Sequence, residues 1–298
     1  MTKSKRLIFF GNERLATAVD TKAPTLRALV HAGYEIAAVV TNYTPGVSRS
    51  SRRLEIVEVA HAYHIPVLMP ARLGEIEDRL KHSGAEAGVL VAYGKIIPQE
   101  VIDIFPDGII NIHPSLLPAY RGPTPIESAI LDGVRQTGVS LMHIVAKMDA
   151  GPVFAQTKVE LSSHETKQRL ADKLLKLGSE LLLEHLPAIL DGSLQPKPQN
   201  EDKVSYTKLF SKEDGLMDWS KPAEVLQREV RAFAVWPRSV TTLYGQKIIV
   251  TKARVVKDEA DGPLVMRCHS GWLEIQELIA PSGRTMIGAD FIRGYKKT

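Results

Sequence analysis

An α/β fold built on a doubly wound, mainly parallel sheet is what the first two thirds of this 298-residue chain predict. Short apolar runs alternate with helical stretches up to residue 190, the pattern of strand–helix–strand crossovers. The runs are continuously apolar, as from Gly88 to Tyr93, which marks strands covered on both faces. A further observation sets the rest of the chain apart: beyond residue 207 several short β-rich segments follow one another. The expected whole is a Rossmann-like sheet domain followed by a small OB-like β-barrel.

Taken in order, Arg6 to Phe10 reads as the first strand, Pro24 to Ala32 as a helix, Glu35 to Thr41 as the second strand and Arg53 to His61 as a helix. Ile65 to Met69 is the third strand and Gly88 to Tyr93 a buried fourth. Ile109, Ile110 and Ile112 flank Asn111 as in a further buried strand reaching its carboxyl end, where open α/β sheets bind their ligands. No Gly-x-Gly-x-x-Gly follows the first strand, which argues against a dinucleotide site. From Ser162 a long amphipathic helix is expected. Ser162 and Glu165 are spaced as a capping box, and Leu170, Leu174, Leu177, Leu181 and Leu182 form one apolar stripe. Asp191 to Lys203, poor in apolar residues and rich in turn formers, ends that helix and reads as a linker. The domains are therefore assigned as 1–190 and 208–298, with 191–207 between them. In the second domain a short helix follows Ser220. Strands are expected at Ser239–Leu243, Lys247–Val255, Leu264–Cys268 and Trp272–Leu278, with Tyr244, Gly245 and Gln246 as a hairpin turn. That pattern alone fits a small barrel or a small sandwich.

Composition narrows the class. With 44% apolar and 24% charged residues, the chain reads as a globular protein. No apolar run reaches the roughly 18 residues that span a bilayer. Leu7 to Phe10, just after the start, is too short for a signal-peptide core. Cys268 is the single cysteine, which excludes an internal disulfide and a thiolate metal cluster. A cytoplasmic monomer with no membrane partner is expected. Residues 1–203 carry 23 basic and 23 acidic side chains, while 204–298 carry 15 and 11, so the net +4 sits in the last third. Such an excess is either solubilising surface or an attractor of an anionic polymer.

The chemistry concentrates between residues 109 and 125. Asn111 and His113, two apart on a strand, point to one face and can address one reacting atom. An amide N–H beside a titratable imidazole suits a developing oxyanion. Pro114, Pro118, Gly122, Pro123 and Pro125 forbid regular structure beyond the pair and hold a rigid loop. Taken alone, an Asn-x-His pair is more often a turn former beside a satisfied histidine. The whole run changes that reading.

From Asn111 to Pro125 the run Asn-x-His-Pro-Ser-Leu-Leu-Pro-x-Tyr-Arg-Gly-x-x-Pro resembles the signature loop of the folate-dependent formyltransferases. Met148-Asp149-Ala150-Gly151-Pro152 resembles that family's acidic folate-binding loop. The resemblance implies a catalytic set of Asn111, His113 and Asp149, and 10-formyltetrahydrofolate as co-substrate. It places Ser115, Leu116, Leu117 and Pro118 along the folate site. It also implies that backbone around Tyr93, Gly94, Lys95 and Ile97, and around Val145 and Met148, holds the pteridine. The reaction so implied needs no metal. Arg121 would either hold a phosphate or carboxylate or brace its own loop. Lys208 to Ser220 and Arg231 to Pro237 resemble the C-terminal domain of the family members that formylate methionyl initiator tRNA, which implies that tRNA as acceptor and partner.

Two stretches depart from the family pattern. Gly11 to Ala16 replaces the usual Gly-Thr-Pro-acidic-Phe-Ala after the first strand. The basic loop after the second strand, Asn42 to Arg53, is shorter and lacks the usual Lys-Leu-x-Pro stretch. Arg49, Arg52 and Arg53 keep that loop positive and are the residues expected to contact the tRNA, among Gly and Ser residues that suit a segment ordering on RNA.

Overall fold

The structure, a computed structural model, describes residues 6–12, 21–42 and 54–296. Seven strands form one sheet: β1 (Arg6–Gly11), β2 (Glu35–Val40), β3 (Val67–Leu68), β4 (Ala87–Val91), β5 (Ile109–His113), β6 (Gln136–His143) and β7 (Val153–Glu160). Their order is β3-β2-β1-β4-β5-β6-β7. Strands β1 to β5 pair in parallel, and β6 and β7 complete the sheet antiparallel. Leu7 to Phe10, Ala87, Val89, Ile109 and Ile110 are buried, which is why these strands show no alternation. The antiparallel pair has no counterpart in the sequence expectation. In β7, Gln156, Lys158 and Glu160 break the apolar pattern by which the inner strands are recognised. Strand order reverses between β1 and β4, so the crevice beyond their carboxyl ends is the topological switch point.

Helices α1 (Pro24–His31), α2 (Glu55–Ala62), α3 (Glu77–Lys81), α4 (Gln99–Ile102) and α6 (Lys167–Leu190) accompany the sheet, and α5 (Pro125–Asp132) comes between β5 and β6 in the chain. The start of α6 corrects the expected one. Glu165 Oε2 accepts from Ser162 N–H at 2.5 Å and from its hydroxyl at 2.6 Å, but these bonds close a separate turn. The helical ladder begins with Leu170 N–H on Thr166 O. Leu170, Leu174, Leu181 and Leu182 are buried as expected, whereas Leu177 is only half-buried and its neighbour Gly178 faces the sheet. A Cβ at Gly178 would lie 2.5 Å from Ile112 Cγ2, so glycine lets α6 settle directly on β5.

The chain divides into two compact units. One comprises residues 1–125, 136–160 and 171–207, the other 126–135, 161–170 and 208–298. Most of α5 and the first turn of α6 thus belong with the C-terminal part. Residues 191–207, read from sequence as a linker, pack within the first unit: Lys197 bridges Val153 and Tyr206 bridges Arg121.

In the second unit, α7 (Ala223–Ala232) and α8 (Gly288–Tyr295) accompany β8 (Ser239–Leu243), β9 (Gln246–Val256), β10 (Val265–Arg267), β11 (Trp272–Ile279) and β12 (Thr285–Ile287). The antiparallel order is β10-β11-β9-β8, with β12 on β11. Register shifts between Ile275 and Leu278 bulge β11, and such bulges increase local twist. The result is an OB-like half-barrel around Leu226, Val230, Ile248, Leu273 and Phe291. Tyr244 at φ 49° and Gly245 at φ 71° make the β8–β9 turn, the positive-φ pair that matches hairpin twist. Among the described residues no helix is long and apolar enough to cross a membrane.

Candidate active site

Asn111 and His113 end β5, the one strand with a parallel neighbour on one side and an antiparallel neighbour on the other. Asn111 lies opposite Leu90 of β4 and Met142 of β6, and His113 opposite Ser140. This register holds both side chains on one face at 6% and 4% exposure. The Asn111 amide has no side-chain hydrogen bond among the described residues. His113 Nε2 lies 3.0 Å from Tyr120 O, and because a carbonyl only accepts, this nitrogen carries a hydrogen. Its Nδ1 faces Asp149 Oδ2 at 3.7 Å, longer than a hydrogen bond but within ion-pair range. The three residues singled out in the sequence thus bear on one place.

Asp149 reaches His113 on the loop between β6 and β7, in a left-handed conformation at φ 47°. Aspartate tolerates that conformation better than most residues with a Cβ, and neighbouring contacts hold it here. Gly122 N–H donates to Asp149 Oδ2 at 2.7 Å, fixing the carboxylate. Gln199 Nε2 donates to the carbonyls of Asp149 at 2.8 Å and of Gly151 at 2.7 Å, fixing the loop backbone. A Cβ at Gly151 would run into His143 O, so glycine is required there.

Arg121 is fully buried, and its guanidinium is taken up by side chains of the stretch after α6. Nε and Nη2 donate to Gln199 Oε1 at 3.1 and 2.9 Å, and Nη2 also to Glu201 Oε1 at 2.8 Å. The hydroxyl of Tyr206 lies 3.5 Å from Nη1. The Arg121 guanidinium holds the Glu201 carboxyl below the usual carboxylate range, with Lys147 assisting. Of the two readings of Arg121, bracing its own loop is the one these contacts support. The loop is further joined to residues 205–207: Tyr120 N–H donates to Ser205 Oγ, Arg121 N–H to Ser205 O and Thr207 N–H to Arg121 O. Gln199, Glu201, Ser205, Tyr206 and Thr207 have no site role in the sequence expectation, where all five fall in the linker. Their signal was indirect: a buried arginine needs acceptors, and the polar stretch after α6 holds them.

The expected folate-lining residues divide by exposure. Ser115 is buried, its hydroxyl donating to Ala119 O, and Leu117 is buried as well. Leu116 packs over Gly138, and Leu116 and Pro118 are partly exposed. Ser140 and Gln156 hold the same turn: Ser140 Oγ donates to Ser115 O, and Gln156 Nε2 to Leu117 O at 2.8 Å. After β4, Tyr93 and Ile97 are buried anchors, while Gly94 (φ 76°), Lys95 and Ile96 face solvent at the switch point. The Asn42 amide donates to Tyr93 O at 2.8 Å, fixing this loop from β2's end. Val145 and Met148 are exposed on the loop that carries Asp149. Ile96, Val145 and Met148 are exposed apolar side chains on these two loops. Arg49, Arg52 and Arg53 lie outside the described residues, as do Glu13 to Ala16. Among the described residues no three His, Cys, Asp or Glu side chains are grouped to hold a metal ion.

A model of the formyl transferase family matches residues 6–186, and a model of the formyl transferase C-terminal domain matches residues 209–296. The chain belongs to the formyl transferase family. A relative from Chloroflexus aurantiacus named methionyl-tRNA formyltransferase is 38% identical over 306 residues, covering 97% of this chain and 96% of its own. One of the same name from Bacillus licheniformis is 35% identical over 307 residues, covering 97% and 95%. Among solved structures, HypX from Aquifex aeolicus in complex with tetrahydrofolic acid aligns at a TM-score of 0.69 and 17% identity, covering 98% of this chain and 47% of that one. The sugar 3N-formyl transferase WlaRD aligns at 0.65 and 19%, covering 93% and 97%. At those identities the structures speak to the fold alone. As a formyl transferase, the chain is an enzyme, and its site must serve a formyl donor and a nucleophilic acceptor.

Proposed function

We propose that this enzyme transfers the formyl group of 10-formyltetrahydrofolate to the α-amine of methionyl initiator tRNA, for translation initiation. The reading rests on the convergence of Asn111, His113 and Asp149 in a chain that is similar over nearly its whole length to methionyl-tRNA formyltransferases. The neutral amine attacks the formyl carbon, a C–N bond forms, and the carbonyl π electrons move to oxygen. Asn111 Nδ2–H and the Nδ1–H of a protonated His113 donate to that oxyanion. One such donor is typically worth about 3–4 kcal/mol of barrier. Tyr120 O occupies Nε2, so Nδ1 is the nitrogen available to the reaction, and the Asp149 carboxylate 3.7 Å from it balances its charge.

The proton lost by the amine passes to Asp149, directly or through water. Collapse re-forms the carbonyl and breaks the bond to N10, which takes up a proton as tetrahydrofolate leaves. Every electron pair is accounted for without a metal or a covalent enzyme intermediate. Leu116, Pro118 and the loops at 93–97 and 145–148 hold the folate. Arg49, Arg52 and Arg53, with the basic excess in residues 204–298, attract the tRNA. The enzyme acts in the cytoplasm as a monomer. Purified protein given 10-formyltetrahydrofolate should formylate charged initiator tRNA and leave free methionine untouched. Formylation of an amino-sugar nucleotide but not of charged tRNA would overturn the assignment.

A further inference from the structure

We infer that Gln199 is a positioning residue for catalysis, coupling the buried Arg121 to the backbone that presents Asp149. The inference rests on Asp149 being catalytic, as proposed above. Gln199 lies on the polar stretch after α6, away from the two motifs that carry the chemistry. All four hydrogen-bonding capacities of its amide are used. Oε1 accepts from Arg121 Nε and Nη2, and Nε2 donates to Asp149 O and Gly151 O. The amide therefore has one workable orientation, because a flip would set NH₂ against a guanidinium and oxygen against two carbonyls.

The contacts close a ring. Arg121 holds Gln199, Gln199 holds the Asp149 backbone in its left-handed conformation, and the Asp149 carboxylate returns to the N–H of Gly122, the residue after Arg121. His113 is attached to this ring: its Nε2 is held by Tyr120 O, the residue before Arg121, and its Nδ1 faces the Asp149 carboxylate. Three successive residues of one loop thus set the imidazole, the clamp and the carboxylate. Without the clamp, the carboxylate that faces Nδ1 keeps the Gly122 N–H, but its backbone loses the two bonds from Gln199. A displacement of about 1 Å at a reacting group can cost 10²-fold in rate.

Gln199→Glu separates the two halves of the amide. It keeps an acceptor for Arg121 and replaces both donors to the loop carbonyls with acceptors. The full-length variant should keep its melting temperature within a few degrees. Its kcat should fall about ten- to a hundredfold, with KM for folate and for the formyl acceptor changed less than about threefold. Gln199→Glu combined with Asp149→Asn should be no slower than Asp149→Asn alone, because the clamp acts only through that carboxylate. A kcat near wild type in Gln199→Glu, or additive losses in the double variant, would overturn the inference. If Gln199→Glu does not fold, Gln199→Met, uncharged and similar in length, is judged by the same split of kcat against KM and the same double variant. Asp149→Asn is the control for the catalytic reading. If it retains full turnover, that reading fails whatever Gln199 does. If it is slow while both Gln199 variants are fast, only the clamp is wrong.

Discussion

His113 has one nitrogen committed to Tyr120 O and one left facing Asp149, and this asymmetry decides what substitutions should do. In the proposed mechanism Asn111→Ala removes an oxyanion donor and should lower turnover on the order of 10²-fold or more. His113→Ala removes the second donor and Asp149→Asn the charge facing it, each with a loss of similar order. The double variant Asn111→Ala/His113→Ala should fall well short of the product of the single losses, since both residues act on one oxygen. Single-turnover rates at saturating substrate, beside thermal melts of each variant, check this, and near-normal turnover in any single variant removes that residue from the set. The proposed set was legible in the sequence because each residue carries chemistry in its own side chain within a motif of fixed spacing. Gln199 and Gly122 were not. One acts through a neutral amide in a stretch that looks like a linker, the other through a backbone N–H that any residue but proline has.

Elements show the same division. Strands such as β1 and β4 are recognisable because burial on both faces makes them continuously apolar, whereas β7, half exposed and polar at Gln156, Lys158 and Glu160, carries no such mark. The register of α6 on β5 is equally hidden, since a leucine stripe announces a buried face but not the glycine on which it turns. Gly178 brings that helix against Ile112, the residue between Asn111 and His113, and its neighbour Ser179 ties to Thr25 of α1 at 2.8 Å. Gly178→Ala should therefore destabilise the fold by about 1–3 kcal/mol through overpacking, against a helix-propensity gain of about 1 kcal/mol. It should also lower kcat by shifting β5. Denaturant midpoints and kcat measured together test this; a more stable, fully active variant would show that α6 has room to move.

The end of β4 offers a pH test. Burial pushes the Tyr93 phenol from 10.0 up to about 12, against a lesser opposing effect of Asn42, and its hydroxyl has no partner among the described residues. The folded state therefore keeps a proton that the unfolded chain releases above its own pKa. Stability on this account is intact below about pH 10 and is lost as pH rises toward 12, by up to about 2–3 kcal/mol. Tyr93→Phe should be near neutral at pH 7 and should flatten that alkaline loss in urea titrations. An unchanged alkaline limb would mean that other groups govern it.

At the scale of the whole molecule, charge was readable from sequence and the grouping of segments was not. Nothing local in residues 126–135 or 161–170 says that they pack with a domain beginning at 208, because that partnership depends on residues distant in the chain. The charge asymmetry, by contrast, is a plain count, and it makes the last prediction. If the acceptor is a tRNA, the basic excess in residues 204–298 and the arginines at 49, 52 and 53 meet phosphates, and each neutralised phosphate releases condensed counterions. The logarithm of kcat/KM for tRNA should then fall linearly with the logarithm of salt concentration. Replacing Arg49, Arg52 and Arg53 together with glutamine should raise KM for tRNA and flatten that slope by up to about 0.9 for each phosphate left without its arginine. Turnover at saturating tRNA should hold, because none of the three belongs to the catalytic set. A small amine acceptor would show neither the slope nor its change. Kinetics flat in salt and indifferent to the three substitutions would therefore refute an RNA acceptor while leaving formyl transfer itself in place.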